Sequence, residues 1–377
     1  MTPSPYVAVI GSGIVGAAIA QRLAEKGAAA LLLDGSDPGR ARNATAASFA
    51  AVSAREQMPR AFFDLSRAAM EDYRRLAWKL APAPWYHMDG SLAWFRDPAR
   101  AVALQEQVER LRAWGYAAEM LPAREVLADL EPGLALPDPE TPVAWFPEEA
   151  WVDAVVLTHR LIEAVRNAGG RVLTGPQRQV VAIATEDGRV STVTLAGGQT
   201  IPVASVVNAA GAEGERIAAL VGRRLPLTAP RGLTARAEMR EGSDPLRRPV
   251  RTDGIAIRPD GPGRILIVPQ GEPEDMPSGA IPRDDPRVAE VMTMAAAAVP
   301  ALATARPISA LVAAWPLMAD GLPSVGTVPD IPGYVEAVTD YGVTLASLIA
   351  RSLTDEILGQ PGNPLLEPFR PRDRDAA

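Results

Sequence analysis

Residues 7–16 read Val-Ala-Val-Ile-Gly-Ser-Gly-Ile-Val-Gly and constrain the chain more than any other stretch. Val7 to Ile10 have the unbroken apolar pattern of a strand buried on both faces. They run into Gly11, Gly13 and Gly16, and an Ala-rich helical segment follows, Ala17 to Lys26. A strand, three glycines at this spacing and a helix open a βαβ unit. Gly11 permits the tight turn, Gly13 lets a phosphate approach the backbone, and Gly16 lets the helix pack closely on the strand. Around Ser12, Ile14 and Val15 the helix N-terminus offers N–H groups and partial positive charge to an anion.

A glycine-rich turn alone is a weak signal in a chain with 31 glycines. The context narrows it. After the turn at Gly27, a second apolar strand, Ala29 to Leu33, ends in Asp34-Gly35. Asp34 stands roughly 20 residues past the glycines, the spacing of a carboxylate that grips an adenosine ribose. An acid there favours an unphosphorylated ribose, hence FAD or NAD over NADP.

A length of 377 residues is enough for two domains. The net charge of −7 disfavours nucleic acid or an anionic membrane as a partner. Cysteine is absent, which removes disulfides, thiolate metal sites and cysteinyl-flavin links. With only His87 and His159, neither a histidine metal site nor a Ser-His-Asp triad is expected, and no metal is predicted. The first residues lack the basic region of a signal peptide, and no apolar run reaches the ~18–20 residues of a membrane span. The expectation is a soluble, cytoplasmic protein.

Helical spacing marks Pro59 to Leu80 and residues 100–114, with a strand pattern at Ser91 to Phe95 between them. Leu130 to Pro147, rich in proline and acid, reads as a loop crossing between domains. A helix from Asp153 to Asn167 stops at Gly169-Gly170. Strand patterns then recur at Arg171 to Thr174, Val180 to Ala184, Val190 to Leu195 and Ser205 to Ala209. Three more follow at Leu233 to Ala237, Gly254 to Arg258 and Arg264 to Val268, then a helix from Pro286 to Ala298.

The order of these features resembles the D-amino-acid-oxidase-like FAD-dependent oxidoreductases, which include glycine and sarcosine oxidases. Ala44-Thr45-Ala46-Ala47-Ser48 is similar to that family's small-residue segment beside the flavin. Pro147 to Asp153 resembles the stretch leading into its central helix. Asn208-Ala209-Ala210-Gly211 resembles the turn closing the nucleotide site. Asp320-Gly321-Leu322-Pro323 and Asp340-Tyr341-Gly342-Val343-Thr344, heading the last helix, complete the likeness. The resemblance implies a Rossmann-like FAD-binding domain of the glutathione-reductase type, with an inserted α+β substrate domain containing an antiparallel sheet. The expected division is 1–55, 145–222 and 305–365 for FAD, 56–144 and 223–304 for substrate, and a frayed tail at 366–377. It also implies non-covalent FAD contacts from the blocks above together with Arg42 and Val180. The start of the last helix would then face the flavin ring, where its dipole stabilises negative charge.

The chain departs from the family where substrate would sit. Members commonly carry Arg-Pro before the D-G-x-P motif, the arginine clamping a substrate carboxylate. Here the residues are Ala314-Trp315-Pro316. Arg231, or else Arg258, is a candidate replacement cation, while Trp315 and Tyr341 are candidates for an aromatic wall facing an amine. The implied activity is oxidation of the C–N bond of an amine or N-substituted amino acid. Two alternatives stay open: a flavin-binding subunit with a structural or electron-relay role, and an NAD-dependent dehydrogenase. A homo-oligomer or a partner redox subunit also stays open.

Overall fold

The computed structural model describes residues 5–36, 43–240, 244–271 and 276–372. Strand β1 (Tyr6–Ile10), helix α1 (Ile14–Glu25) and strand β2 (Ala30–Asp34) form the βαβ unit expected from the opening motif. Both strands are almost wholly buried, and they pair in parallel from Val7↔Ala30 to Ile10↔Leu33. A four-residue helix, α2 (Ala44–Ala47), is capped by Asn43, whose side chain accepts from the Ala46 N–H. Helix α3 (Arg60–Lys79) follows. Strand β3 (Thr200–Asn208) lies parallel to β1 on the side away from β2.

The second sheet is antiparallel around β4 (Arg231–Glu238), β5 (Ile255–Pro259), β6 (Arg264–Pro269) and β7 (Arg306–Ala314). β4 lies between β6 and β7, and β5 pairs with β6. The chain returns to the first sheet in β8 (Tyr334–Val338), parallel to the end of β3 at Asn208↔Glu336. Helix α4 (Gly342–Ile357) then packs on α1 and α3. Tyr73 of α3 donates its hydroxyl to the Val343 carbonyl, tying the start of α4 in place.

Three expectations are corrected. Residues 130–147 are not wholly a loop: Pro142–Phe146 is a strand paired on both edges, to Ser91–Ala93 and Glu119–Pro122. Proline is tolerated as the first residue of that strand, and Val143, Ala144 and Phe146 are fully buried. Residues from 305 do not all belong with the nucleotide sheet, because β7 pairs along β4. Residues 366–372 of the expected frayed tail are packed rather than frayed, and 373–377 fall outside the described residues. Leu366 and Phe369 are completely buried, Phe369 lies 5.6 Å from Phe62, and Arg370 is ion-paired to Glu356.

No helix among the described residues is long and apolar enough to cross a membrane. No group of histidine, cysteine, aspartate and glutamate among them is placed to hold a metal ion.

Candidate active site

The three glycines of the opening turn behave differently. Gly11 has φ +107°, and a β-carbon there would stand 2.3 Å from the Ala209 carbonyl oxygen. At Gly16 a β-carbon would stand 1.9 Å from the Gly11 carbonyl oxygen, so only glycine lets α1 approach the turn. Gly13 is roomier: among the described residues the close neighbour of a β-carbon there is Thr45 Oγ1 at 3.2 Å. Thr45 Oγ1 also accepts from the Ile14 N–H at 3.1 Å, so α2 is fastened to the first turn of α1. Apart from that bond, the positive end of α1 faces the adjoining cavities.

At the end of β2, Asp34 accepts from the Ser12 N–H at 2.7 Å and the Ser12 hydroxyl at 2.6 Å. Its other oxygen takes the N–H and hydroxyl of Ser36. Gly35 abuts Gln179, the residue before Val180, so Asp34, Gly35 and Val180 meet at one edge of the glycine turn.

A cavity of about 420 Å3 lies between the two sheets. One wall is Gly13, Ile14 and Val15 with Thr45, Ala47 and Ser48. A second is Ala209 and Gly211, and a third is Asp340, Gly342 and Val343 at the start of α4. The first and last segments of the site touch: a β-carbon on Gly342 would be 3.1 Å from Val15 Cγ2. The second sheet closes the cavity with Leu233, Thr234, Gln270 and Trp315. A neighbouring cavity, also about 420 Å3, shares Gly13 and Thr45 and adds Ser12, Ala46 and His159.

Other residues hold this wall from behind. Thr344 donates its hydroxyl to the Ala51 carbonyl, and Gly11 and Gly16 are packing positions. The carbonyls at the end of α2 are bound by the second sheet. Thr234 donates to Ala47 at 2.6 Å, Arg236 to Ala46 at 2.9 Å and Arg258 to Phe49 at 2.7 Å. Both arginines also reach Asp260 at 3.0 Å.

That placement removes Arg258 as a replacement clamp, since its guanidinium is buried and committed to Phe49, Pro259 and Asp260. Arg231 lines a third cavity of about 250 Å3, which shares Gly232, Gln270 and Trp315 with the main one. Tyr341 is corrected as a pocket wall. Its ring packs edge-on against Phe62 at 5.1 Å and is not among the cavity-lining residues. Gly321 and Pro323 lie in the turn before Ser324–Thr327 and line neither large cavity, and Ala210 likewise stands behind the lining. Arg42 falls outside the described residues. His87 stacks on Trp151 at 3.8 Å, away from the cavity, and burial lowers its pKa.

Asp340 is the titratable residue of most interest. Burial pushes its carboxyl up to about 6, against the opposing pull of its own and Tyr341's backbone N–H groups. Phe49, the next residue of the small-residue segment, also lines the cavity, as do Thr234, Gln270 and Thr339, which no motif in the sequence announced.

A family model described as FAD dependent oxidoreductase matches residues 6–356. The chain belongs to this family. It is therefore a flavoprotein oxidoreductase with FAD as its cofactor. The chain is similar in fold to glycine oxidase from Geobacillus kaustophilus, with a TM-score of 0.88 and 22% identity, covering 99% of this chain and 100% of that one. Iminodiacetate oxidase from a Chelativorans species gives 0.81 at 22% identity over 98% and 100% of the two chains. The fructosyl amine:oxygen oxidoreductase of Aspergillus fumigatus gives 0.79 at 18% identity over 100% and 92%. No curated protein sequence matches the chain.

Proposed function

We propose that the chain oxidises the C–N bond of an amine or N-substituted amino acid, with FAD held non-covalently in the cavity between the sheets. The observation that carries this reading is the meeting of Val15 and Gly342. The opening turn and the closing helix wall one cavity from opposite ends of the polypeptide.

The residues fit the cofactor. The start of α1 at Gly13, which lines both large cavities, suits a pyrophosphate. Asp34, at the end of β2, suits the adenosine ribose. Gly342 and Val343 open a sixteen-residue helix whose positive end suits a ring that gains electrons. Cysteine is absent, and neither histidine lines the cavity that holds Gly342, so a covalent link has no donor there.

Bound FAD supplies a two-electron acceptor for hydride from the carbon bearing nitrogen, and the imine so formed is hydrolysed by water. The protein's part is to bind the amine, aim its C–H bond and limit water. Trp315, Gln270 and Leu233 face the other walls of the cavity and are assigned to substrate.

The test is anaerobic titration of the purified yellow protein with amines and N-alkyl amino acids. Loss of the oxidised flavin absorbance is the expected result. Full FAD content with no bleaching by any of them points instead to a structural or relay role. Purification without flavin, and no uptake of added FAD, overturns the placement of the cofactor.

A further inference from the structure

The charges lining the main cavity say which amines it suits, an inference that rests on the reading of the site given above. Among the described residues, the charged groups on its wall are Arg251 and Asp340. Arg251 is ion-paired to Glu56, so its charge is already answered. Among the described residues none is ion-paired to the Asp340 carboxyl. Trp315 and Gln270 line the same cavity.

A carboxyl group and an aromatic face in one cavity attract a cation and disfavour an anion. The carboxylate supplies a charge-assisted hydrogen bond to an ammonium group, and the indole supplies cation–π attraction. A substrate carboxylate would meet Asp340 with no unengaged cation among the described lining residues, and like charges at close range in a desolvated site repel.

We propose that the preferred substrate is an amine with no carboxylate on the reacting carbon, its nitrogen bound by Asp340 and its hydrocarbon body lying against Trp315. Asp340 is then the residue that sets specificity. The cavity takes primary or secondary alkyl- and arylalkylamines ahead of the matching amino acids.

The test uses the FAD-loaded protein and two probes of similar size and opposite charge, benzamidinium and phenylacetate, titrated by calorimetry. The expected result is binding of the cation at least about tenfold tighter than the anion. Asp340→Asn should weaken the cation about tenfold or more, and Trp315→Leu a few-fold, each compared with the native chain at equal FAD loading. Equal or tighter binding of phenylacetate overturns the proposal. So does cation binding unmoved by Asp340→Asn. If that variant fails to fold, the comparison of the two probes on the native chain still decides.

Benzylamine, isobutylamine and their N-methyl derivatives are then compared with phenylglycine, valine and N-methylvaline for anaerobic bleaching of the flavin. Faster bleaching by the amines supports the inference. Bleaching by the amino acids alone overturns it while leaving C–N oxidation standing. No bleaching by either set, at full FAD content, overturns both.

Discussion

The indole of Trp315 fills the space that a side chain on Gly232 would need: a β-carbon there would lie 2.4 Å from Trp315 Cζ3. Both residues line the main cavity and the smaller one that contains Arg231. Gly232 is thus what lets the ring lie flat along β4 between the two spaces. Gly232→Ala is expected to displace the indole at a cost of about 1–3 kcal/mol. Tryptophan fluorescence should shift and KM for amines should rise, with FAD content retained. Unaltered fluorescence and KM would place the ring elsewhere.

Gly13 and Gly16 should separate binding from folding. Gly13→Ala adds a methyl group whose close neighbour among the described residues is Thr45 Oγ1 at 3.2 Å. The FAD-free variant should keep its stability to within about 1 kcal/mol and lose FAD affinity, which equilibrium dialysis reads. Gly16→Ala drives a β-carbon into the Gly11 carbonyl at 1.9 Å and should cost roughly 3 kcal/mol or more in urea unfolding. Equal effects of the two on stability would contradict this assignment.

Stability should depend on pH through Asp340. Its carboxyl ionises near 3.8 when exposed and at about 6 in the folded protein, because burial disfavours the charge. The folded state therefore binds this proton more tightly. The resulting stabilisation is complete below the unfolded value and fades as pH rises through about 6. The amplitude is on the order of 2–3 kcal/mol for a shift of this size. Urea unfolding of the FAD-free protein between pH 4 and 7 measures it, and Asp340→Asn should remove this component of the slope. An unchanged slope in the variant would show that other groups set it.

Arg236 should matter to the cofactor without touching it. Arg236→Met strips the partner at 2.9 Å from the Ala46 carbonyl and leaves Asp260 to Arg258 alone. A loss of about 1–3 kcal/mol is expected, together with faster FAD release, because the Ala46–Ser48 segment lines the two cavities. Stopped-flow dilution into an apoprotein acceptor reads the release rate. Unfolding that weakens while release stays constant would make the contact purely structural.

The opening turn, α1, β2 and the start of α4 were legible in the sequence because each is a local pattern with a local physical cause. Strand residues buried on both faces are uniformly apolar, and glycine is demanded where backbones nearly touch. The second sheet's share of the site was less legible. Thr234, Gln270 and Trp315 come from separate strands and loops, and only the pairing of β4 with β6 and β7 gathers them. Arg258 looked available in the sequence because its burial depends on the carbonyl of Phe49, 209 positions away. Tyr341 misled for a similar reason: its nearest ring neighbour is Phe62, on a helix far earlier in the chain.

The side chains of Thr234, Arg236 and Arg258 grip three main-chain carbonyls at the end of α2. Swinging the sheets apart would strand all three acceptors, at about 1–3 kcal/mol for each that stays buried. Wholesale opening of the molecule is thus a poor route for molecular traffic. Substrate arrival and product departure are expected where the smaller compartment lined by Trp315 and Gln270 adjoins the main one. The bolt that steadies the cofactor's cradle also dictates where the doorway has to be.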